Sequence, residues 1–197
     1  MSWKMQKKEY GILENDFVIG SVGRMLQDAN KRFSDLIKAF AEFSKEKENA
    51  KLLLVGEGPE KEGYEKLVNE LGISNQVIFA GYQSDVSLLY QMMDVFALVS
   101  AREAFGLVLA EAMLNKLPVI ASRVGGMKYI VEDQETGFLV EPFQVQEIKE
   151  KIEILYLDAE LRKTLGNNGF EKAMREYTEE SYVKSIQDLY QSLVNKP

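Results

Sequence analysis

At 197 residues the chain is long enough for one domain with a full hydrophobic core, and its 46% hydrophobic and 28% charged residues are typical of a globular protein. A net charge of −7 is the wrong sign for a surface that binds a nucleic-acid backbone, so nucleic acid is not an expected partner. The absence of cysteine and histidine excludes disulfides and thiolate chemistry and removes the commonest metal ligand and general base.

The N-terminal segment is polar and charged, and no apolar run approaches the roughly 18 residues that a membrane-spanning helix needs. We therefore expect a cytoplasmic protein without a transmembrane segment.

Short apolar runs alternate with stretches of helical period along most of the chain. The runs lack polar alternation, which is typical of parallel strands buried on both faces. This alternation predicts an α/β fold with a doubly wound parallel sheet of about six strands and helices on both faces. The predicted strands are residues 17–22, 51–55, 76–80, 94–99, 118–121 and 137–140.

Beyond residue 140 the pattern contains C-terminal helices only. We expect them at about residues 145–156, 159–177 and 179–194, with Gly166 and Gly169 interrupting the second helix. No internal repeat or low-complexity linker marks a second domain.

Glycine or polar residues follow most predicted strands. Ligands of open parallel sheets bind beyond the carboxyl ends of the strands, so these segments are expected to meet at one crevice. Glycine permits close approach of the backbone to a ligand, although tight turns use it equally well without one. Neither a dinucleotide fingerprint nor a P-loop is present. The segments are residues 23–24, 56–59, 81–82, 100–103 and 122–126.

Residues 100–113 form the most informative segment. A helix is expected to begin near Gly106 and to run to about Asn115. The unpaired N–H groups near its start, at residues 105–107, would then form a site for an anion such as diphosphate.

Glu111 lies about one and a half turns into this otherwise apolar helix. Burial of a carboxylate there is unfavourable unless it is hydrogen-bonded, and a hydroxyl-rich ligand would supply those bonds. The alternative is that Glu111 faces solvent or meets a neighbouring backbone donor.

Glu103 precedes the helix, and eight helical residues would separate it from Glu111 by about 12 Å. The carboxylate pairs of glycosidases lie about 5 to 9 Å apart, so the two glutamates are expected to hold different parts of one extended ligand. An anion also needs cations, which Arg24 and Lys31 can supply, although either alone is more often a solvated surface charge.

Together these segments resemble the C-terminal, donor-binding half of group 1 (family 4) glycosyltransferases, a Rossmann-like half of the GT-B fold. The resemblance covers about residues 17–195, and Glu103 and Glu111 fit the Glu-x7-Glu motif of that family. The other similar segments are residues 21–24, 31–40, 53–59, 77–81, 100–113, 117–122, 124–126 and 135–137.

The resemblance implies that the partner is a nucleotide diphosphate sugar, whose sugar is transferred with retention of configuration. Arg24 and Lys31 would stabilise the departing diphosphate and Glu103 would contact the sugar hydroxyls, which makes these three the implied catalytic residues. Glu111 would bond the ribose hydroxyls, and the base would lie near residues 77–82. No metal or other cofactor is implied, and the sequence contains no Asp-x-Asp motif. The implied donor-binding residues are Gly23, Gly56, Gly58, Phe79, Gly81, Tyr82, Ala104, Phe105, Gly106, Leu107 and Glu111.

Two features depart from the pattern of the family. Ala104 stands where a glycine is usual; alanine has less backbone freedom, but we expect the loop near the sugar to tolerate it. Arg24 and Lys31 are separated by about two more residues than in the commonest form, so the shape of their loop is not determined by the resemblance.

The resemblance also divides the chain. Residues 1–16 resemble the linker between the two halves, residues 17–178 the donor-binding domain, and residues 179–197 the helix that crosses to the other half. We find no counterpart of the N-terminal acceptor-binding domain. The intact parent is therefore expected to be a glycosyltransferase of the hexosyl type, compatible with peripheral membrane contact, and the chain alone to be inactive.

Two alternatives remain. One is a stand-alone binding or regulatory module for nucleotide sugars without catalysis. The other is part of a nucleotide-sugar epimerase, which can share this architecture and would release free nucleotide without modifying an acceptor.

Overall fold

The computed structural model describes residues 7–27 and 30–194, and six strands within them form one sheet. The strands are β1 (Phe17–Val22), β2 (Ala50–Val55), β3 (Val77–Gly81), β4 (Val95–Leu98), β5 (Val119–Ser122) and β6 (Gly137–Val140). Their spatial order is β3-β2-β1-β4-β5-β6, and all neighbouring pairs are parallel. The predicted strands agree with the observed ones to within one residue at each end.

Helices cover both faces of the sheet. They are α1 (Phe33–Ser44), α2 (Lys61–Glu70), α3 (Ser87–Tyr90), α4 (Leu107–Leu114), α5 (Met127–Ile130), α6 (Val145–Leu157), α7 (Ala159–Glu176) and α8 (Glu179–Val194). Apolar side chains of α1, α2 and α6 belong to one core cluster. Those of α3, α4 and α5 belong to another. Helix α7 contributes Leu165 to the first cluster and Ala173 to the second. The predicted doubly wound α/β fold is therefore confirmed.

Strand β1 shows why the fold has two cores. Phe17 and Ile19 point into the cluster beneath α1 and α6, whereas Val18 between them points into the opposite cluster. All three are buried, because successive residues of a strand face opposite sides of the sheet. Full burial of one such side chain contributes about 1.5–3 kcal/mol, so both layers stabilise the sheet.

The strand order reverses direction at β1, which lies between β2 and β4. The chain moves outward from β1 to β3 on one side and from β4 to β6 on the other. The loops that follow β1 and β4 therefore diverge and leave a crevice at the carboxyl edge of the sheet.

Helix α7 corrects one expectation. Gly166 and Gly169 do not interrupt it, since the helix is continuous from Ala159 to Glu176. A Cβ at Gly166 would lie 2.1 Å from the carbonyl oxygen of Lys116. The glycine therefore allows α7 to pack directly on the loop before β5, a close contact that offsets the low helix propensity of glycine.

Helix α8 follows α7 and packs on it, but none of its residues is buried. The proposed crossing segment extends beyond it to residue 197, and residues 195–197 lie outside the described part of the chain, as do residues 1–6 of the proposed linker. Within the linker, Ile12 is buried against the core on the α4 side. Among the helices of the described residues, none has the length and apolar character needed to cross a membrane.

The loops that follow β1 and β2 are in direct backbone contact at Gly56. This residue has φ +136°, and a Cβ on it would lie 1.9 Å from the carbonyl oxygen of Gly23. Its N–H donates to the carbonyl oxygen of Gly81, so the same residue also contacts the end of β3. A side chain at position 56 would force these carboxyl-edge loops apart.

Replacement of Gly56 by alanine is expected to lower the free energy of unfolding by about 2–4 kcal/mol, because positive φ strain and a backbone clash combine. Gly72→Ala is the matched control, since Gly72 has φ +71° and nothing within 4 Å of the added Cβ. It should cost only about 1 kcal/mol. Urea denaturation of both variants measures the difference, and equal losses would show that the contact at Gly56 is not tight in solution.

Candidate functional site

A cleft of about 480 Å³ opens at the crevice between the loops that follow β1 and β4. Its lining combines cationic and polar side chains with one carboxylate. The lining residues are Arg24, Leu26, Asn30, Lys31, Arg102, Glu103 and Ala104. Three cations around a single carboxylate suit a ligand that carries negative charge and hydroxyl groups.

A backbone contact brings the two sides of this cleft together. Residues 30–32 run antiparallel to residues 99–101, with an isolated β-bridge between Lys31 and Ser100. The N–H of Arg32 donates to the oxygen of Val99 at 2.9 Å, and the N–H of Ala101 donates to the oxygen of Asn30 at 2.8 Å. This bridge brings residues before α1 next to the loop that contains Glu103.

Lys31 and Glu103, 72 residues apart in sequence, form an ion pair in which Nζ lies 2.5 Å from Oε2. Their side chains are only 21% and 18% exposed. Partial burial reduces screening by solvent and salt, so this pair is expected to be stronger than a surface pair. Two predicted catalytic residues are thus in direct contact.

Arg24, the third predicted catalytic residue, lines the same cleft and is exposed. Within residues 7–27 and 30–194 its guanidinium has no hydrogen-bond or ion-pair partner. Its five N–H donors are therefore available to a ligand. The same described ranges contain no group of three or more acidic residues that could hold a metal ion.

The beginning of α1 is held by Arg32 and Asp35. The guanidinium makes two hydrogen bonds to this carboxylate, at 2.8 and 2.9 Å, and the Asp35 side chain is almost completely buried. These hydrogen bonds raise the pKa of Arg32 above its ordinary value. Arg32 also lies 4.9 Å from the ring centroid of Phe143. Because Asp35 and Phe143 both hold the Arg32 side chain, the backbone of the neighbouring Lys31 is fixed.

The segment before α4 packs tightly on the loop that follows β5. The N–H of Gly126 donates to the oxygen of Ala104 at 3.0 Å, and a Cβ on Gly125 would lie 1.6 Å from the oxygen of Glu103. The Phe105 ring meets the Tyr177 ring edge-on at 6.1 Å. The loop that carries Glu103 is therefore held in place by the loop after β5 and by Tyr177.

Helix α4 begins directly after Gly106 and ends before Asn115, as predicted. Within the part of the chain that the structure describes, the N–H groups of Phe105, Gly106 and Leu107 donate to no protein acceptor. They lie next to Ala104, which lines the cleft. Unpaired N–H groups at a helix start attract anions.

Glu111 corrects a second expectation. Its side chain is exposed rather than buried, so the cost of burial gives no argument for a ligand. Its partner is also not a backbone group, because the hydroxyl of Tyr90 donates to Oε2 at 2.8 Å. Burial and the charge of Glu111 raise the pKa of Tyr90 well above its ordinary value, so this hydroxyl remains a donor at neutral pH.

The remaining predicted donor-binding residues lie around the ends of β1, β2 and β3. Gly23 donates to the oxygen of Val55, which ties two of these ends together. Phe79 is half-buried against the core, whereas Tyr82 is 74% exposed. The cleft lining contains Arg24, Lys31, Glu103 and Ala104 but not Glu111 or residues 79–82. The predicted site thus includes residues beyond the lining of this cleft.

Sequence reasoning missed three residues of the cleft and one behind the site. Leu26, Asn30 and Arg102 line the cleft, and only their proximity in sequence to Arg24, Lys31 and Glu103 could have indicated them. Tyr90 gave no such indication, because it lies within a short apolar stretch 21 residues before its partner Glu111.

Comparison with known proteins establishes the family of the chain. Residues 4–172 match the family model of the group 1 glycosyl transferases. The chain belongs to this family. It is 36% identical to the N-acetyl-alpha-D-glucosaminyl L-malate synthase of Bacillus anthracis over 93% of this chain and 48% of that protein. It is 31% identical to the capsular polysaccharide biosynthesis glycosyltransferase CapM of Staphylococcus aureus over 98% of this chain and 50% of that protein. The chain thus spans about half the length of these curated relatives.

Two solved structures have the same fold. HepE (Alr3699) of Anabaena in complex with UDP has a TM-score of 0.87 at 28% identity, over 96% of this chain and 52% of HepE. The C-terminal domain of the group 1 glycosyl transferase LpcC of Francisella tularensis has a TM-score of 0.78 at 28% identity, over 90% of this chain and 91% of that domain. The fold is therefore that of the C-terminal, Rossmann-like domain of GT-B glycosyltransferases.

A double-mutant cycle on Lys31→Met and Glu103→Gln is expected to give a coupling energy of about 1 kcal/mol in the free energy of unfolding, because the pair is partly buried. The pair of Glu42 and Lys45, whose side chains are more than half exposed, is the control. It should couple by less than about 0.5 kcal/mol. Coupling at Lys31 and Glu103 no larger than the control would mean that the ion pair is not maintained in solution.

Proposed function

We propose that the chain is the donor-binding half of a retaining, metal-independent glycosyltransferase that transfers a sugar, of hexosyl type, from a nucleotide diphosphate sugar to an acceptor. The observation that carries the proposal is the cleft in which Arg24, Lys31 and Glu103 meet beside the start of α4. A cytoplasmic location belongs to the same proposal.

The diphosphate would lie between Arg24 and the N–H groups at the start of α4. Arg24 lines the cleft and has five donors, and Lys31 supplies a second positive charge. As the bond to the sugar breaks, negative charge develops on the departing phosphate. Fixed cations stabilise that charge without reorganisation, which is the role that a metal ion has in other transferases.

The transferred sugar would lie at Glu103. A carboxylate accepts several hydrogen bonds, so Glu103 can accept from sugar hydroxyls while it remains near Lys31. Retention of configuration is carried over from the resemblance of Glu103 and Glu111 to the Glu-x7-Glu motif.

The nucleoside would extend from the cleft across α4 to the end of β3. Glu111 is exposed on α4, where its carboxylate can accept from the two ribose hydroxyls. UDP and UDP-glucose are bound in the structures of HepE, which are similar to this chain. This supports a nucleotide diphosphate sugar as the class of ligand.

Binding measurements on the chain should identify the ligand without any need for catalytic turnover. Among UDP, GDP and ADP and their sugars, at least one is expected to raise the melting temperature of the chain, because a ligand stabilises by RT ln(1 + [L]/Kd). Arg24→Ala and Glu111→Ala should each lower the affinity for that ligand at least tenfold in a calorimetric titration, since each removes a charged contact.

Arg175→Ala is the matched control, because Arg175 lies at the surface in α7 and pairs with Glu176. Its affinity for the ligand should equal that of the unmodified chain. Excess EDTA should not change the affinity of the unmodified chain. Equal affinities in all variants would contradict the site assignment. Loss of binding in EDTA would contradict metal independence alone.

The chain alone is expected to transfer no sugar, because acceptor contacts would come from the part of the relatives that it does not span. Incubation with the ligand identified above and a broad panel of acceptors, followed by mass spectrometry, tests this. Detectable glycosylated product would contradict inactivity. Release of free nucleotide during turnover of the intact protein, with no acceptor modified, would favour an epimerase.

A further inference from the structure

Among the described residues, the only hydrogen-bond or ion-pair partner of the Glu111 carboxylate is the hydroxyl of Tyr90. The hydroxyl lies 2.8 Å from Oε2. The other carboxylate oxygen, Oε1, accepts no hydrogen bond from these residues. Glu111 is therefore held at one oxygen and open at the other.

Tyr90 itself is rigid. It ends α3, is 2% exposed, and lies in the core cluster on the α4 side of the sheet. Its ring packs edge-on against Phe96 of β4 at 5.6 Å. The hydroxyl is the one polar atom of this side chain, and it lies next to α4, 3.5 Å from the oxygen of Val108. The position of the hydroxyl is consequently set by the packing of the ring against the sheet.

Glu111, in contrast, is exposed and has three rotatable side-chain bonds. Without a partner, such a side chain samples several rotamers, and a ligand that fixes one of them must offset the lost entropy. Hydrogen bonding to Tyr90 selects one rotamer before a ligand arrives. The second hydroxyl contact, to the oxygen of Val108, is 3.5 Å long, so the proton points to Glu111.

We propose that Tyr90 is a positioning residue, whose buried hydroxyl holds Oε2 of Glu111 so that Oε1 is presented to the vicinal hydroxyls of the donor ribose. This inference rests on the proposed function, because it requires Glu111 to bind ribose. Tyr90 touches no donor atom and acts only through Glu111.

A purely structural role for Tyr90 predicts different behaviour. A tyrosine at the edge of a core needs an acceptor for its hydroxyl, and Glu111 could serve only that need. Removal of the hydroxyl would then leave nucleotide affinity unchanged, since Glu111 remains solvated. The effect of Tyr90 on nucleotide binding, and not on stability, is therefore the distinguishing measurement.

The test uses the full chain and calorimetric titration with UDP, the nucleotide bound in HepE; if the titrations above select GDP or ADP, that nucleotide replaces it. Tyr90→Phe is expected to weaken binding about three- to tenfold, the usual range for one lost hydrogen bond. The loss should be smaller for 2′-deoxy-UDP, which lacks one of the hydroxyls. In the Glu111→Ala background Tyr90→Phe should have no further effect.

Tyr156→Phe is the matched control. Its partly buried ring also packs edge-on against a core ring, that of Phe17 at 5.1 Å, but its hydroxyl lies near Asn49 on the other side of the sheet. This variant should bind UDP like the unmodified chain. A crystal structure of the unmodified chain with and without UDP gives a test that needs no variant, because Glu111 should keep one rotamer in both.

Unchanged affinity in Tyr90→Phe, with Glu111→Ala weakened, would overturn the inference and leave the proposed function intact. An equal loss in both backgrounds would also overturn it, because Tyr90 would then act by another route. The inference would also be overturned if Glu111 adopted different rotamers in the crystal structures with and without UDP. If Glu111→Ala itself binds normally, the failure lies in the proposed function, and the inference falls with it.

Discussion

The candidate site depends on the backbone contact between residues 30–32 and 99–101. A parallel sheet brings the ends of its strands to one edge, but it does not by itself join the loops that leave them in opposite directions. Two backbone hydrogen bonds close this gap and set Lys31 opposite Glu103. The fixed start of α1, through Arg32 and Asp35, prevents the contact from shifting.

The fixed and the open parts of the site differ in how they are supported. Glu103 and the beginning of α4 lie on a segment that is packed against the loop after β5, where a side chain at Gly125 has no space. The carboxylate of Glu111 accepts a hydrogen bond from Tyr90, a residue of the core. Arg24 has no comparable support among the described residues, so it is the group that can adapt to the ligand. Rigid acceptors and one adaptable cation suit a ligand with a constant sugar and ribose and a flexible diphosphate.

Much of the fold could be predicted from sequence, because strands that are buried on both faces must be apolar throughout and leave recognisable runs. The start of α4 could be predicted for a similar reason, since Gly106 and the apolar residues after it mark a helix boundary. Contacts between distant segments could not. Nothing in the sequence indicates that Gly166 meets the carbonyl of Lys116, and the apolar surroundings of Glu111 suggested burial although its own side of the helix faces solvent.

In the proposed function, the ion pair of Lys31 and Glu103 would also distinguish the donor from the product. A bare nucleoside diphosphate can attract Lys31 but offers no sugar hydroxyls to Glu103, whereas a sugar-bearing donor offers partners to both. After transfer of the sugar, Glu103 would lose its hydroxyl partners, and Lys31 would again be its opposite charge at 2.5 Å. The re-formed pair would then compete with the spent diphosphate for the same lysine and so assist release of the product.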